Sequence, residues 1–191
     1  MIKRALVTYG WCRSAWAALR NLSQHGIETY AGDSSSIFMA GHSKYCKGSF
    51  IYPTFYTRPT DFIKTVSDFI DENEISTYIP IHEEILVVSK YRDYFTKNVK
   101  LPIDTFDKIF TLYNKKAFTN LTELLNVPTP ATYYPNSTEE AKEYAKIATF
   151  PQIIKLQNSN GAKGVKIVSN EEDFLSGYKE LLKVSNYHFP I

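Results

Sequence analysis

Two hydrophobic rhythms alternate along this chain. "RALVTYG" is a short apolar run, "SAWAALRNLSQHG" repeats apolar side chains at Ala15, Trp16, Leu19 and Leu22, and "IETYAGD" returns to strand character. The spacing predicts strand, helix and strand, with His25 and Gly26 closing the helix. Such a βαβ unit implies parallel strands. A second helix is expected from Asp61 to Asn73, where Phe62, Ile63, Val66, Phe69 and Ile70 share one face. "STYIPIHEE" after it reads as another buried strand running into a loop. The first part of the chain is therefore expected to be a small open α/β sheet.

The rhythm changes near "KLPIDTFDKIF", which divides the chain into an expected domain of residues 1–103 and another of residues 104–191. A helix with Phe118, Leu121, Leu124 and Leu125 on one face must end before "NVPTP", because proline cannot continue it. The order predicted from there is a strand from Thr129 to Tyr134, a helix, strands from Pro151 to Leu156 and from Val165 to Val168, a helix, and a strand from His188. Ser137 with Glu140, and Ser169 with Glu172, have capping-box spacing at the two helix starts. Four strands and two helices in this order make a compact α+β layer.

Composition narrows the class. In 191 residues, 43% hydrophobic content supports a buried core and argues against disorder. The 22 basic and 20 acidic residues are interspersed, so no basic stripe marks a nucleic-acid partner. The apolar run near the N-terminus is broken by Arg13 and Arg20, unlike a signal peptide, and no run reaches membrane-spanning length. Cys12 and Cys46 have no metal-type spacing and read as reduced thiols, so a cytoplasmic protein without membrane or nucleic-acid partners is expected. The four histidines likewise show no ligand spacing, and no metal site is expected in this chain.

The chemistry concentrates in "FPQIIKLQNSNGAKGVKIVS". Lys155 alternates with Ile154 in a predicted strand, so its side chain leaves the face its apolar neighbours occupy. It is either an exposed strand lysine before a hairpin or a cation aimed at an anion. Gly161 and Gly164 let the following loop turn its N–H groups toward a phosphate. No Gly-Lys-Ser/Thr follows, so this is not a Walker loop, and "TYGWCRSA" lacks the glycines of a dinucleotide fingerprint.

In order along the chain, "ALVTYG", "GIETYAGD", "SKYCKGSFIYP", "YIPIHEE", "LYNKKAFTNLTELLNVPTPATYY" and "FPQIIKLQNSNGAKGVKIV" resemble the N-terminal part of ATP-grasp enzymes. The likeness is to the branch of carbamoyl-phosphate synthetase and biotin carboxylase. It implies a Rossmann-like pre-ATP-grasp domain with an open parallel sheet, followed by the small α+β N-terminal subdomain of the ATP-grasp fold. It also implies ATP and Mg as cofactors, with Lys115 and Lys155 on the nucleotide phosphates and Gly161, Ala162, Lys163 and Gly164 as the glycine flap. Asn114 stands where the family usually has Asp, and Ala162 where the richest flaps have glycine. The magnesium-binding lobe is expected to lie beyond this chain, leaving the 191 residues alone inactive.

The full-length activity implied is a ligase that makes an acyl phosphate from a small carboxylate and passes the acyl group to an amine or other nucleophile. A homodimer is compatible with the resemblance. Glu83, at the carboxyl end of a strand, reads either as a substrate contact or as an acidic helix start. Gly10 and Arg13, in the first βα turn, are further substrate candidates by position. The alternative from a different class is a non-catalytic module that binds a nucleotide or small metabolite.

Overall fold

The computed structural model describes residues 3–95, 99–159 and 164–185. They form two compact units that divide between Ile109 and Phe110.

The first unit is built on a four-stranded parallel sheet of order β3-β2-β1-β4, from β1 (Arg4–Val7), β2 (Glu28–Asp33), β3 (Gly48–Ile51) and β4 (Thr77–Ile79). Leu6 pairs with Tyr30 on one side and Tyr78 on the other. Helix α1 (Arg13–Gln24) follows β1, and its Ala15 and Leu19 pack with Val7, Ala31, Phe38 and Ala40. Helix α2 (Pro59–Glu72) links β3 to β4 and buries Phe62, Ile63, Val66 and Ile70. Phe69 stacks on Phe50 of β3 at 3.9 Å. Adjacent residues Leu6 and Val7 are both fully buried, the mark of a parallel strand covered on two faces.

The punctuation is local. Gly26 takes φ +78 just past α1, and the Gly26 and Ile27 amides return to Ser23 and Leu22 as a Schellman turn. Proline at the first position starts α2 one turn's fraction earlier than the apolar face required. "IHEE" does not stay extended: after Ile79 the chain turns into α3 (Glu84–Lys90), which buries Leu86, Val87 and Val88. A short 3-10 turn, Arg92–Tyr94, follows. The division between units falls within α4 (Phe106–Tyr113).

The second unit contains α5 (Lys115–Leu124), α6 (Thr138–Ile147), the antiparallel pair β5 (Gln152–Lys155) and β6 (Val165–Val168), and α7 (Glu171–Ser185). Ala141, Ala145, Val168 and Phe174 form its core, with Ile154 packed against them. Ser137 caps α6 as its spacing predicts, accepting the Glu140 N–H at 3.0 Å.

Two expectations are corrected here. Thr129 to Tyr134 is not a strand: Pro128 and Pro130 lack N–H donors, the segment from Val127 to Tyr133 is exposed, and no described strand pairs with it. Asn170, not Ser169, caps α7, because its Oδ1 accepts the Asp173 N–H at 2.9 Å. Phe118 and Leu124 of α5 and its cap residue Leu125 are 43%, 78% and 62% exposed. The strand expected from His188 lies outside the described residues.

Candidate functional site

Residues with the chemistry of a binding site gather at two places, one in each unit.

In the second unit the pleat of β5 decides the geometry. Ile154 turns inward, while Ile153 and Lys155 share the opposite face with their cross-strand partners Ile167 and Val165. Ile153 is 65% and Ile167 75% exposed, so this side of the ladder is open and the Lys155 ammonium projects from it. The chain then leaves β5 at Leu156 and re-enters β6 after Gly164, whose carbonyl accepts the Leu156 N–H at 2.9 Å. Gly164 is required here for two reasons. Its φ is +70, and a Cβ would stand 2.6 Å from Leu156 Cδ1.

Lys115 and Asn114 hold the start of the same loop. Asn114 caps α5 through the Ala117 N–H at 2.9 Å and donates its amide to Asn158 Oδ1 at 2.7 Å. The Lys115 N–H bonds to the Gln157 carbonyl at 3.1 Å, and its ammonium donates to the Ser159 carbonyl at 2.9 Å and hydroxyl at 3.0 Å. Lys115 therefore grips the loop stem, while Lys155 stands on the open ladder face. Gly161, Ala162 and Lys163 lie outside the described residues. The donors assembled here are ammonium and amide groups, which fit a polyphosphate. They do not fit a divalent cation, and among the described residues no three His, Cys, Asp or Glu side chains gather as a metal site.

In the first unit, the carboxyl ends of β1 and β4 carry the unusual residues. Tyr9 and His82 both adopt left-handed backbone, φ +57 and +60, and their rings stack 4.7 Å apart. Glu83 follows; its carboxylate is 7% exposed, accepts the Tyr56 hydroxyl and lies 3.9 Å from His82 Nδ1. Glu84 is buried, with Oε1 accepting the Tyr52 hydroxyl at 2.5 Å and no hydrogen bond to Oε2 among the described residues. Burial pushes its pKa up to about 8, and the nearby Thr8 and Tyr52 hydroxyls offset only part of that. Gly10 is buried where a Cβ would meet Phe38 at 2.6 Å, so it serves close packing of the turn. Arg13 is exposed on the first turn of α1.

Of the residues nominated from sequence, Glu83 and Gly10 thus sit at this edge. Tyr9, Tyr52, Tyr56 and His82 were missed, and Glu84, the neighbour of Glu83 in "PIHEE", is the more deeply buried of the acidic pair. Each of the missed residues follows β1, β3 or β4 closely, so the rule that open α/β sheets bind ligands at strand carboxyl ends would have nominated them.

The sequence model of the carbamoyl-phosphate synthase L chain, ATP binding domain, matches residues 114–190, the stretch that contains both lysines and the loop. The chain is similar to ATP-grasp enzymes in sequence and in fold. Among ATP-grasp relatives, the carbamoyl phosphate synthase large chain of Methanoculleus marisnigri is 26% identical over 128 residues, 67% of this chain and 12% of that protein. The biotin carboxylase domain of 2-oxoglutarate carboxylase from Hydrogenobacter thermophilus, crystallised as a dimer with MgADP, ADP and bicarbonate, superposes with a TM-score of 0.72 at 20% identity. That match covers 98% of this chain and 42% of the carboxylase domain. L-amino acid ligase from Bacillus licheniformis gives a TM-score of 0.74 at 12% identity, covering 96% of this chain and 42% of the ligase. The chain thus spans a small part of its curated relative and less than half of these solved structures. Among the described residues, no helix is long and apolar enough to cross a membrane.

Proposed function

We propose that this chain supplies the phosphate-gripping part of an ATP-dependent carboxylate ligase. The observation that carries the reading is the placement of Lys155 on the open face of the β5–β6 ladder, beside a loop whose stem is held by Lys115. A cation fixed on a strand neutralises phosphate oxygens without needing to be ordered at each binding event. Lys115 adds a second positive charge at the loop stem; the flap role implied by resemblance falls on Gly161, Ala162 and Lys163, outside the described residues, and on Gly164.

In the reaction proposed, a carboxylate oxygen of the substrate attacks the γ-phosphorus and ADP leaves. An amine or other nucleophile then attacks the acyl carbon and phosphate leaves. Bound Mg would neutralise charge on the phosphates; its ligands are not assigned to this chain. Residues 1–103, through Glu83, Gly10 and Arg13, are proposed to take a small-molecule substrate, and residues 104–191 the nucleotide. A cytoplasmic homodimer without nucleic-acid or membrane partners completes the proposal, supported by the dimeric 2-oxoglutarate carboxylase domain. The 191-residue chain alone is expected to bind ATP without turning it over.

Calorimetric titration of ATP into the chain and into its Lys155→Ala variant tests this. Loss of one charge-assisted contact should weaken binding by roughly 1.5–3 kcal/mol, with stability changed by less than about 0.5 kcal/mol. Equal affinities would rule out the phosphate role.

A further inference from the structure

We propose that Asn114 is a positioning residue for the polyphosphate site, acting through Asn158 to hold the stem that follows Lys155 against the start of α5. The inference rests on the ligase reading above and names the pair that keeps its phosphate site in register.

Geometry points to the pair. Consecutive stem residues are each held from the helix start: the Gln157 carbonyl accepts the Lys115 N–H at 3.1 Å, Asn158 Oδ1 accepts the Asn114 amide at 2.7 Å, and Ser159 accepts the Lys115 ammonium at 2.9 and 3.0 Å. On the strand side, Leu156 is buried and its N–H reaches the Gly164 carbonyl at 2.9 Å. The stem is thus pinned from both sides, with Lys155 directly before it. The direction of the Asn114 amide is not free, because its Oδ1 takes the Ala117 N–H at 2.9 Å and only its NH2 group is left to meet Asn158. Its backbone is fixed as well, the N–H on the Phe110 carbonyl and the carbonyl on the Phe118 N–H, each at 2.8 Å. Asn114 is 8% exposed, so water competes little for the bond it makes.

Chemistry points to the role. Two neutral amides add no charge for a polyphosphate to feel, so what the pair contributes is order. A cation acts most strongly on an anion when the backbone that carries it is set beforehand, because freezing that backbone during binding costs conformational entropy. Asn158 and Ser159 are small and polar and bury no apolar surface, so the hydrogen bonds from α5 are what hold them. Of these, the Asn114–Asn158 bond is the one made between two uncharged side chains. It can therefore be deleted without deleting a charge, which separates positioning from attraction.

The test titrates inorganic tripolyphosphate into the 191-residue chain by calorimetry, at low and at high salt. Asn114→Ser keeps a good cap for α5 but is too short to reach Asn158. Asn158→Ala removes the other partner and leaves the cap alone. Each should weaken tripolyphosphate binding about fivefold, and the double variant should bind like either single one, because both changes delete the same bond. Neither removes a charge, so both should keep the parent's salt dependence, whereas Lys155→Ala should flatten it. The proposal is overturned if Asn158→Ala binds as tightly as the parent, if the two losses multiply in the double variant, or if the salt dependence flattens as in Lys155→Ala. Should Asn114→Ser unsettle α5, Asn158→Ala decides alone. Undiminished binding by the variants removes only this inference, whereas a parent chain that binds neither tripolyphosphate nor ATP removes the ligase reading and the inference with it.

Discussion

The Tyr52 hydroxyl lies 2.5 Å from Glu84 Oε1, and it accepts the Tyr9 N–H at 2.9 Å. One buried phenol therefore ties the left-handed residue after β1 to the start of α3. Tyr52 also reaches the Gly32 carbonyl at 3.3 Å, so three strand ends meet on a single oxygen. The arrangement depends on a neutral Glu84, because an ionised carboxylate in full burial would face Tyr52, Tyr78, Thr8 and the Asp33 carboxylate, with no cation against it among the described residues.

That dependence gives a pH signature. With the folded pKa at about 8 and the ordinary value 4.5, the native state holds a proton that the unfolded chain has released. The contribution is fully present below pH 4.5 and declines as pH rises through 8, since stability falls wherever the native state binds more protons. Glu84→Gln keeps the shape and removes the titration. Denaturant unfolding at pH 5 and pH 9 should show the variant gaining on the parent by roughly 2–4 kcal/mol across that range. A parallel pH dependence in both proteins would show that Glu84 is ionised in the fold.

Gly164 makes a prediction about packing rather than ligand approach. Gly164→Ala places a methyl against Leu156 and forces a left-handed backbone on alanine, so the second unit should lose about 1–3 kcal/mol. Adding Leu156→Ala relieves the clash but not the backbone cost, and the two changes should be less than additive. Thermal unfolding of the singles and the double checks this. A fully tolerated Gly164→Ala would contradict the stated geometry.

Much of this was legible because it follows from local pattern. The βαβ start, the α2 face and the inward turn of Ile154 are periodicity made solid, and Gly26 and Ser137 act where their chemistry predicts. What escaped depends on partners distant in sequence. The Thr129 to Tyr134 segment has strand composition but no ladder to join. Asn170 outcompetes Ser169 as a cap because Asp173, three residues on, returns its side chain to the Asn170 amide at 3.2 Å. Asn114, a departure from the family pattern, proves a sound cap that also donates to Asn158, which Asp could not do. The Tyr52–Glu84 pair spans 32 residues and leaves no trace in any window of sequence.

The most direct test of the phosphate site is an amide NMR titration of the chain with ATP, tripolyphosphate and adenosine. The reading predicts that ATP and tripolyphosphate perturb Lys115, Lys155, Gln157, Ser159 and Gly164, with adenosine leaving them unchanged, and that Lys155→Ala abolishes most of the response. Perturbation confined to the first unit, or equal shifts with adenosine alone, would contradict it.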